Sequence, residues 1–276
     1  MKFSHISPLS FGQQAVQSSS IHLTLAHLID ELGENYTNQF QDGKDIIMDN
    51  SAFEFYKAGK PMLSPNKLIG YANQVNADYV VMTDYPGESG QKTIDAANKL
   101  GSLLKDAGFK TFFVPQSKIR DYHDYINTFK WALNQDWIDL IGVSILGVPN
   151  AYGVESDNNL QRYLSRYKLL HDLTEDGILQ RTSEFKNKLH FLGMTDGPNE
   201  IDLVADFDFF INSWDTSAAV WAGMNNIQFD DSPTGLLHGK FAKEVDFLSE
   251  KLDHSNVVTS NIKFINDKNI IIWLVI

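Results

Sequence analysis

Three aspartates stand where apolar runs end. Asp49 closes "DIIMD", Asp84 closes "DYVVMTD" and Asp215 closes "FDFFINSWD". Such a residue could be a catalytic carboxylate at the mouth of a barrel. The neighbours of these aspartates are polar or small: Asn50-Ser51, Tyr85-Pro86-Gly87-Glu88, and Asn212 through Ser217. Three other runs end on Pro115-Gln116-Ser117, Gly142-Val143-Ser144 and Gly193-Met194-Thr195-Asp196. Any one aspartate reads equally well as a helix cap. Six polar strand ends are harder to explain by capping alone.

The elements that must position them alternate along the chain. Apolar runs rich in β-branched and aromatic residues occupy 45–49, 78–84, 110–116, 138–146, 189–196 and 207–215. Helically spaced segments such as "PNKLIGYANQVNA", "QKTIDAANKLGSLLKDAG" and "LQRYLSRYKLLHDL" separate them. Near-continuously apolar strands joined by helices predict a parallel sheet covered on both faces. In such folds the C-terminal strand ends converge on one side, which carries the site. Six strand–helix units are visible, and a (β/α)8 TIM-like barrel needs eight. The remaining strands are expected in "IHLTLAHLI" (21–29) and "NIIIWLVI" (269–276), the latter alternatively half of a hairpin with "NIKFIN". The expectation is one α/β domain over 1–276, with its motifs at about 45–225 and a C-terminal helix and strands over 233–276. An open doubly wound sheet is the alternative, but no G-x-G-x-x-G or P-loop follows any strand.

Composition narrows the function classes. The chain has 276 residues, a net charge of −12 and no cysteine, which excludes disulfides and thiolate metal sites. The histidines show no H-x-H or H-x-x-x-H spacing, which disfavours a metal-dependent hydrolase and leaves an aspartate-only Mg²⁺ site as the alternative; neither a metal nor a cofactor is expected. His190 in "LHF" reads as a core or lining residue. No apolar run approaches ~20 residues, so no membrane span is expected. The first residues do not read as a signal peptide, which fits a cytoplasmic protein. An acidic chain disfavours non-specific binding to nucleic acid, so a local basic patch is required. The candidates are Arg162, Arg166 and Lys168 in "LQRYLSRYKLLHDL", and Lys57 and Lys60, although each group alone also reads as a solvated helix face.

The motifs, taken in order, resemble the tRNA-guanine transglycosylases. "MDNSAFEF" resembles their Asp-Ser-Gly-Gly-Phe-Gln motif, "VMTDYPGE" their base-reading aspartate and "VPQS" their Gln-Gly strand end. "IGVSILGV" resembles their glycine-rich base-binding strand, "HFLGMTDGPNEI" their Leu-Met-Gly-Val-Gly-x-Pro segment, and "INSWDTSAA" the segment of their nucleophile. The glycine pair is replaced by Ser51-Ala52 and the glutamine by Glu54, and the family's cysteine-rich zinc site is absent. A shorter, zinc-free chain is similar to the phage and bacterial enzymes that insert 7-deazaguanine derivatives into DNA.

That resemblance implies a transferase that exchanges guanine in DNA for a 7-deazaguanine-type base. Asp215 would be the nucleophile and Asp49 the acid–base group. Asp84, Gln116 and the Gly142-Val143 backbone would read the base edge, and Phe53 and Met194, beside Gly193, would sandwich its faces. Phe53 and Met194 also read as core residues, Gln116 as turn chemistry, and Trp214 as either a stacking platform or barrel wall. The DNA partner would present a single strand or a flipped base; tRNA is a poorer fit, and a homodimer is compatible with the sequence. The competing functions are a hydrolytic glycosylase using the same carboxylates, a non-catalytic base-binding subunit, and an unrelated barrel enzyme for a small acidic or phosphorylated substrate.

Overall fold

The computed structural model describes residues 1–195, 197–230, 245–249 and 251–272. Eight parallel strands form one sheet: β1 (Lys2–His5), β2 (His22–Leu25), β3 (Ile46–Asp49), β4 (Tyr79–Val81), β5 (Lys110–Phe113), β6 (Leu140–Ser144), β7 (Leu189–Leu192) and β8 (Ile211–Thr216). Their order is β1-β8-β7-β6-β5-β4-β3-β2, with helices in the connections. This is a nearly closed (β/α)8 TIM-like barrel. β1 pairs with β8 in the register Ser4↔Asp215. The last seam, between β1 and β2, has no regular ladder. Hydroxyls help to bridge it: Phe3 N–H donates to Ser20 Oγ at 2.9 Å and Leu23 N–H to Ser4 Oγ at 2.8 Å, beside a backbone bond from Ser20 N–H to the Phe3 carbonyl at 2.9 Å.

Alternation along the strands divides the apolar residues into two cores. The outer one lies between sheet and helices, with Phe3, Met48, Val80, Phe113, Ile141, Phe191 and Trp214 fully buried in it. The inner one, with Leu23, Ile47, Val81, Phe112, Val114 and Leu140, fills the barrel. Gly142 belongs to that packing. A Cβ there would come within 2.9 Å of Val114 and 3.0 Å of Leu192 and Phe112, so the filled interior requires glycine.

Three expectations are corrected. The first strand is "KFSH" at the start of the chain, not 269–276. "NIKFIN" lies within a helix, Ser255–Ile272, and forms no hairpin; residues 273–276 of the expected strand lie outside the described residues. The run "FDFF" is 3-10 helical, and only its continuation enters β8. Asp196, which closes the run 189–196, also lies outside the described residues; a helix opens at Asn199. Among the described residues, no helix is long and apolar enough to cross a membrane.

Candidate functional site

The C-terminal strand ends surround a cavity of about 290 Å³, near the ~300 Å³ lower end of ligand pockets. Asp49, Asp84, Gln116, Gly193 and Asp215 line it, as do Phe53, Glu54, His27, Asn50 and Ser144. Phe247, from the segment after the barrel, also reaches it.

On the β3–β5 side the carboxylates are held by amides. Asn50 Nδ2 donates to Asp84 Oδ1 at 2.8 Å, and Gln116 Nε2 to Asp84 Oδ2 at 2.6 Å. Asn50 also donates to the Met82 carbonyl at 2.7 Å, and its Oδ1 accepts from Ala52 N–H at 2.7 Å. Burial pushes the Asp84 carboxyl up to about 6, against the lowering effect of those two donors. Asp49 accepts from Ser51 N–H at 2.8 Å. Its carboxyl is held well above the usual range, first by burial, then by the negative charge of Glu54, with smaller contributions from Asp84 and Asp215. Ser51 has left-handed backbone angles, φ 54° and ψ 36°, at a place where the resembled motif carries glycine. Its hydroxyl is tied to His27, 3.1 Å from the backbone nitrogen and 2.9 Å from Nδ1.

The β7–β8 side is organised around Asp215. Its Oδ1 lies 3.1 Å from His190 Nε2, and its Oδ2 accepts from Gly193 N–H at 3.2 Å. His190 is fully buried inside the barrel, with Nδ1 2.7 Å from Ser213 Oγ and its ring edge-on to Phe112. With Asp215 accepting, Nε2 carries the proton and Nδ1 accepts from the Ser213 hydroxyl. The peptide that carries the Gly193 N–H is itself clamped. Arg166, 0% exposed, donates to the carbonyls of Val143, Leu192 and Gly193 at 3.1, 3.1 and 2.9 Å. Its other two N–H groups pair with Glu200 at 2.7 and 2.6 Å. Trp214 adds a hydrogen bond to the Gly193 carbonyl at 2.6 Å and packs on Phe191, so it belongs to the barrel wall.

No protein-family model matches this chain, and no curated protein matches it.

The structure thus brings Asp49, Asp84, Gln116, Phe53, Gly193 and Asp215 to one cavity and leaves other candidates elsewhere. Met194 is buried in the outer core and does not line the cavity. Neither Gly142 nor Val143 lines it; Gly142 faces packed side chains, and the Val143 carbonyl is taken by Arg166. The proposed basic patch does not form. Arg166 is wholly internal, Arg162 is half-buried with its guanidinium pKa lowered by desolvation, and exposed Lys168 pairs with Asp172. Among the described residues, no group of three or more His, Asp or Glu is arranged to hold a metal ion. The sequence reading missed His27 and the Arg166–Glu200 pair, which become visible only when distant elements meet.

Proposed function

We propose that this barrel is a base-exchanging transglycosylase acting on DNA, with a 7-deazaguanine-type base as the incoming group. The observation that carries the reading is the convergence of three buried or half-buried carboxylates with different partners on one base-sized cavity. Asp215, oriented by His190 and Gly193, attacks the anomeric carbon and holds the sugar as a covalent intermediate. Asp49, whose proton is retained by burial and neighbouring charge, donates it to the departing base and recovers one from the incoming base. Asp84 accepts from the N–H edge of the base through the lone pairs that Asn50 and Gln116 leave open. Phe53, 42% exposed at the rim, covers the ring face. Exchange rather than hydrolysis requires that water be kept from the covalent intermediate.

The test is mass spectrometry of nucleosides from guanine-containing single-stranded DNA incubated with protein and isotope-labelled 7-deazaguanine. Label in the DNA supports exchange, whereas abasic product without label means hydrolysis. Denatured reactions should contain a protein–DNA adduct that Asp215→Ala abolishes, with turnover falling by on the order of 10⁴-fold or more. Turnover retained in that variant would remove Asp215 from the chemistry.

A further inference from the structure

A second concavity shares a wall with the first. It is an open cleft of about 890 Å³, lined by Tyr56, Lys60, Tyr85, Lys92 and Lys99 among others. The shared wall is built from two short stretches whose residues face opposite ways. Asp84 and Pro86 face the carboxylate cavity, while Thr83 and Tyr85 face the cleft. On the helix Ala52–Lys57, Phe53 and Glu54 face the cavity and Tyr56 faces the cleft. The cleft therefore adjoins the cavity across this wall.

The lining of the cleft carries more positive than negative charge. Lys92, Asp95, Ala96 and Lys99 lie on one face of the helix Gly90–Asp106, at the spacing that stacks side chains along a groove. With Lys60 opposite, the lining carries three lysines against Glu88 and Asp95, a surplus of positive charge in a chain of net charge −12. Glu88 is already paired with Lys92 at 2.7 Å, and Asp95 accepts from Gln91 at 2.8 Å. Tyr56 is 53% exposed, and Tyr85 carries Lys92 over its ring at 4.0 Å. Aromatic rings beside lysines in an open groove form a platform for single-stranded nucleic acid, which stacks its bases and places phosphates on the cations.

We infer that this cleft binds the nucleotides flanking the target base in single-stranded DNA, with Tyr56 stacking on a base and Lys60 and Lys99 holding phosphates. The inference rests on the base-exchange reading for its choice of a nucleic acid as the anion. It replaces the Arg162–Arg166–Lys168 segment as the basic surface of this acidic chain.

The experiment is fluorescence anisotropy with a labelled oligothymidylate, titrated across salt concentrations. Lys60→Glu with Lys99→Glu should weaken binding and reduce the slope of log K against log salt by about 0.7 per lysine. Tyr56→Ala should lose about tenfold, with recovery in Tyr56→Phe, which keeps the ring. The control reverses Lys44 and Lys105, exposed near the opposite end of the barrel, and makes the same change in total charge. Equal loss in the control and the cleft variant would overturn the inference, as would oligonucleotide binding unchanged by all the cleft substitutions. Calorimetry of the wild type with free 7-deazaguanine runs in parallel. Absence of base binding there, with cleft-dependent oligonucleotide binding intact, would defeat the exchange reading and leave the cleft standing.

Discussion

The two halves of the barrel mouth handle buried charge in opposite ways. On the β7–β8 side every N–H of Arg166 is used, on Glu200 and on three carbonyls, and Glu200 accepts a further bond from Thr195 N–H at 2.8 Å. Asp215 there accepts from a fixed backbone donor and a histidine that is itself anchored. On the β3–β5 side Asp49, Glu54 and Asp84 gather around the cavity, where Asn50 and Gln116 donate to Asp84 and the Ser51 N–H to Asp49. Burial raises the Asp49 and Asp84 pKa values. The first half is saturated. The second keeps lone pairs on Asp84 open, and the proposed reading of a base would fall there.

Breaking the saturated half should have the largest effect. Glu200→Gln leaves Arg166 buried with an uncompensated charge, which costs about 3–5 kcal/mol. Denaturant unfolding of the purified protein measures it. A loss below about 1 kcal/mol would mean that the clamp contributes little and that the contrast between the halves is not energetic.

A smaller effect should follow from His190→Phe, which fills the same buried space but removes the donor to Asp215. Loss of a hydrogen bond to a charged group is worth about 1.5–3 kcal/mol, so kcat should fall roughly 10–100-fold with KM little changed. His190→Gln, which keeps a donor, should recover part of the loss. A change confined to KM would place His190 with the binding groups instead.

What the sequence made legible follows from periodicity. The six apolar runs contain strands because alternating burial on both faces leaves little room for polar residues. β1 escaped because "KFSH" is short and its Ser4 serves the barrel seam through a hydroxyl. The terminal run "NIIIWLVI" suggested a strand from its branched residues, yet Val258, Ile262 and Ile265 are buried at helical spacing in the preceding segment. Arg166 was misread for a related reason. It shares its helix face with Leu169, Leu170 and Leu173, all buried, so charge alone concealed an internal position. The three strand-end aspartates were readable from local sequence. The pairing of Asp215 with His190 was not, because only the closed barrel brings the two together.

The finest distinction concerns Asp84 and pH. Its folded-state carboxyl lies at about 6 against an ordinary value of 3.8, so between those values the native state binds more protons than the unfolded chain. Stability attributable to this group therefore falls as pH rises from about 4 to about 6, by up to ~3 kcal/mol, and is constant above. Base reading runs the other way, because an acceptor for N–H groups must be ionised. Wild-type affinity for free guanine or 7-deazaguanine should rise as pH passes about 6, by about tenfold or less. Asp49 also titrates high, so the comparison with Asp84→Asn isolates the relevant group: the variant should bind weakly and lose the rise near pH 6. Calorimetry at several pH values, paired with denaturant unfolding of both proteins, measures the two opposed slopes together. A wild-type affinity that stays flat from about pH 5 to about pH 8 would take Asp84 out of base recognition and leave it a structural strand-end carboxylate.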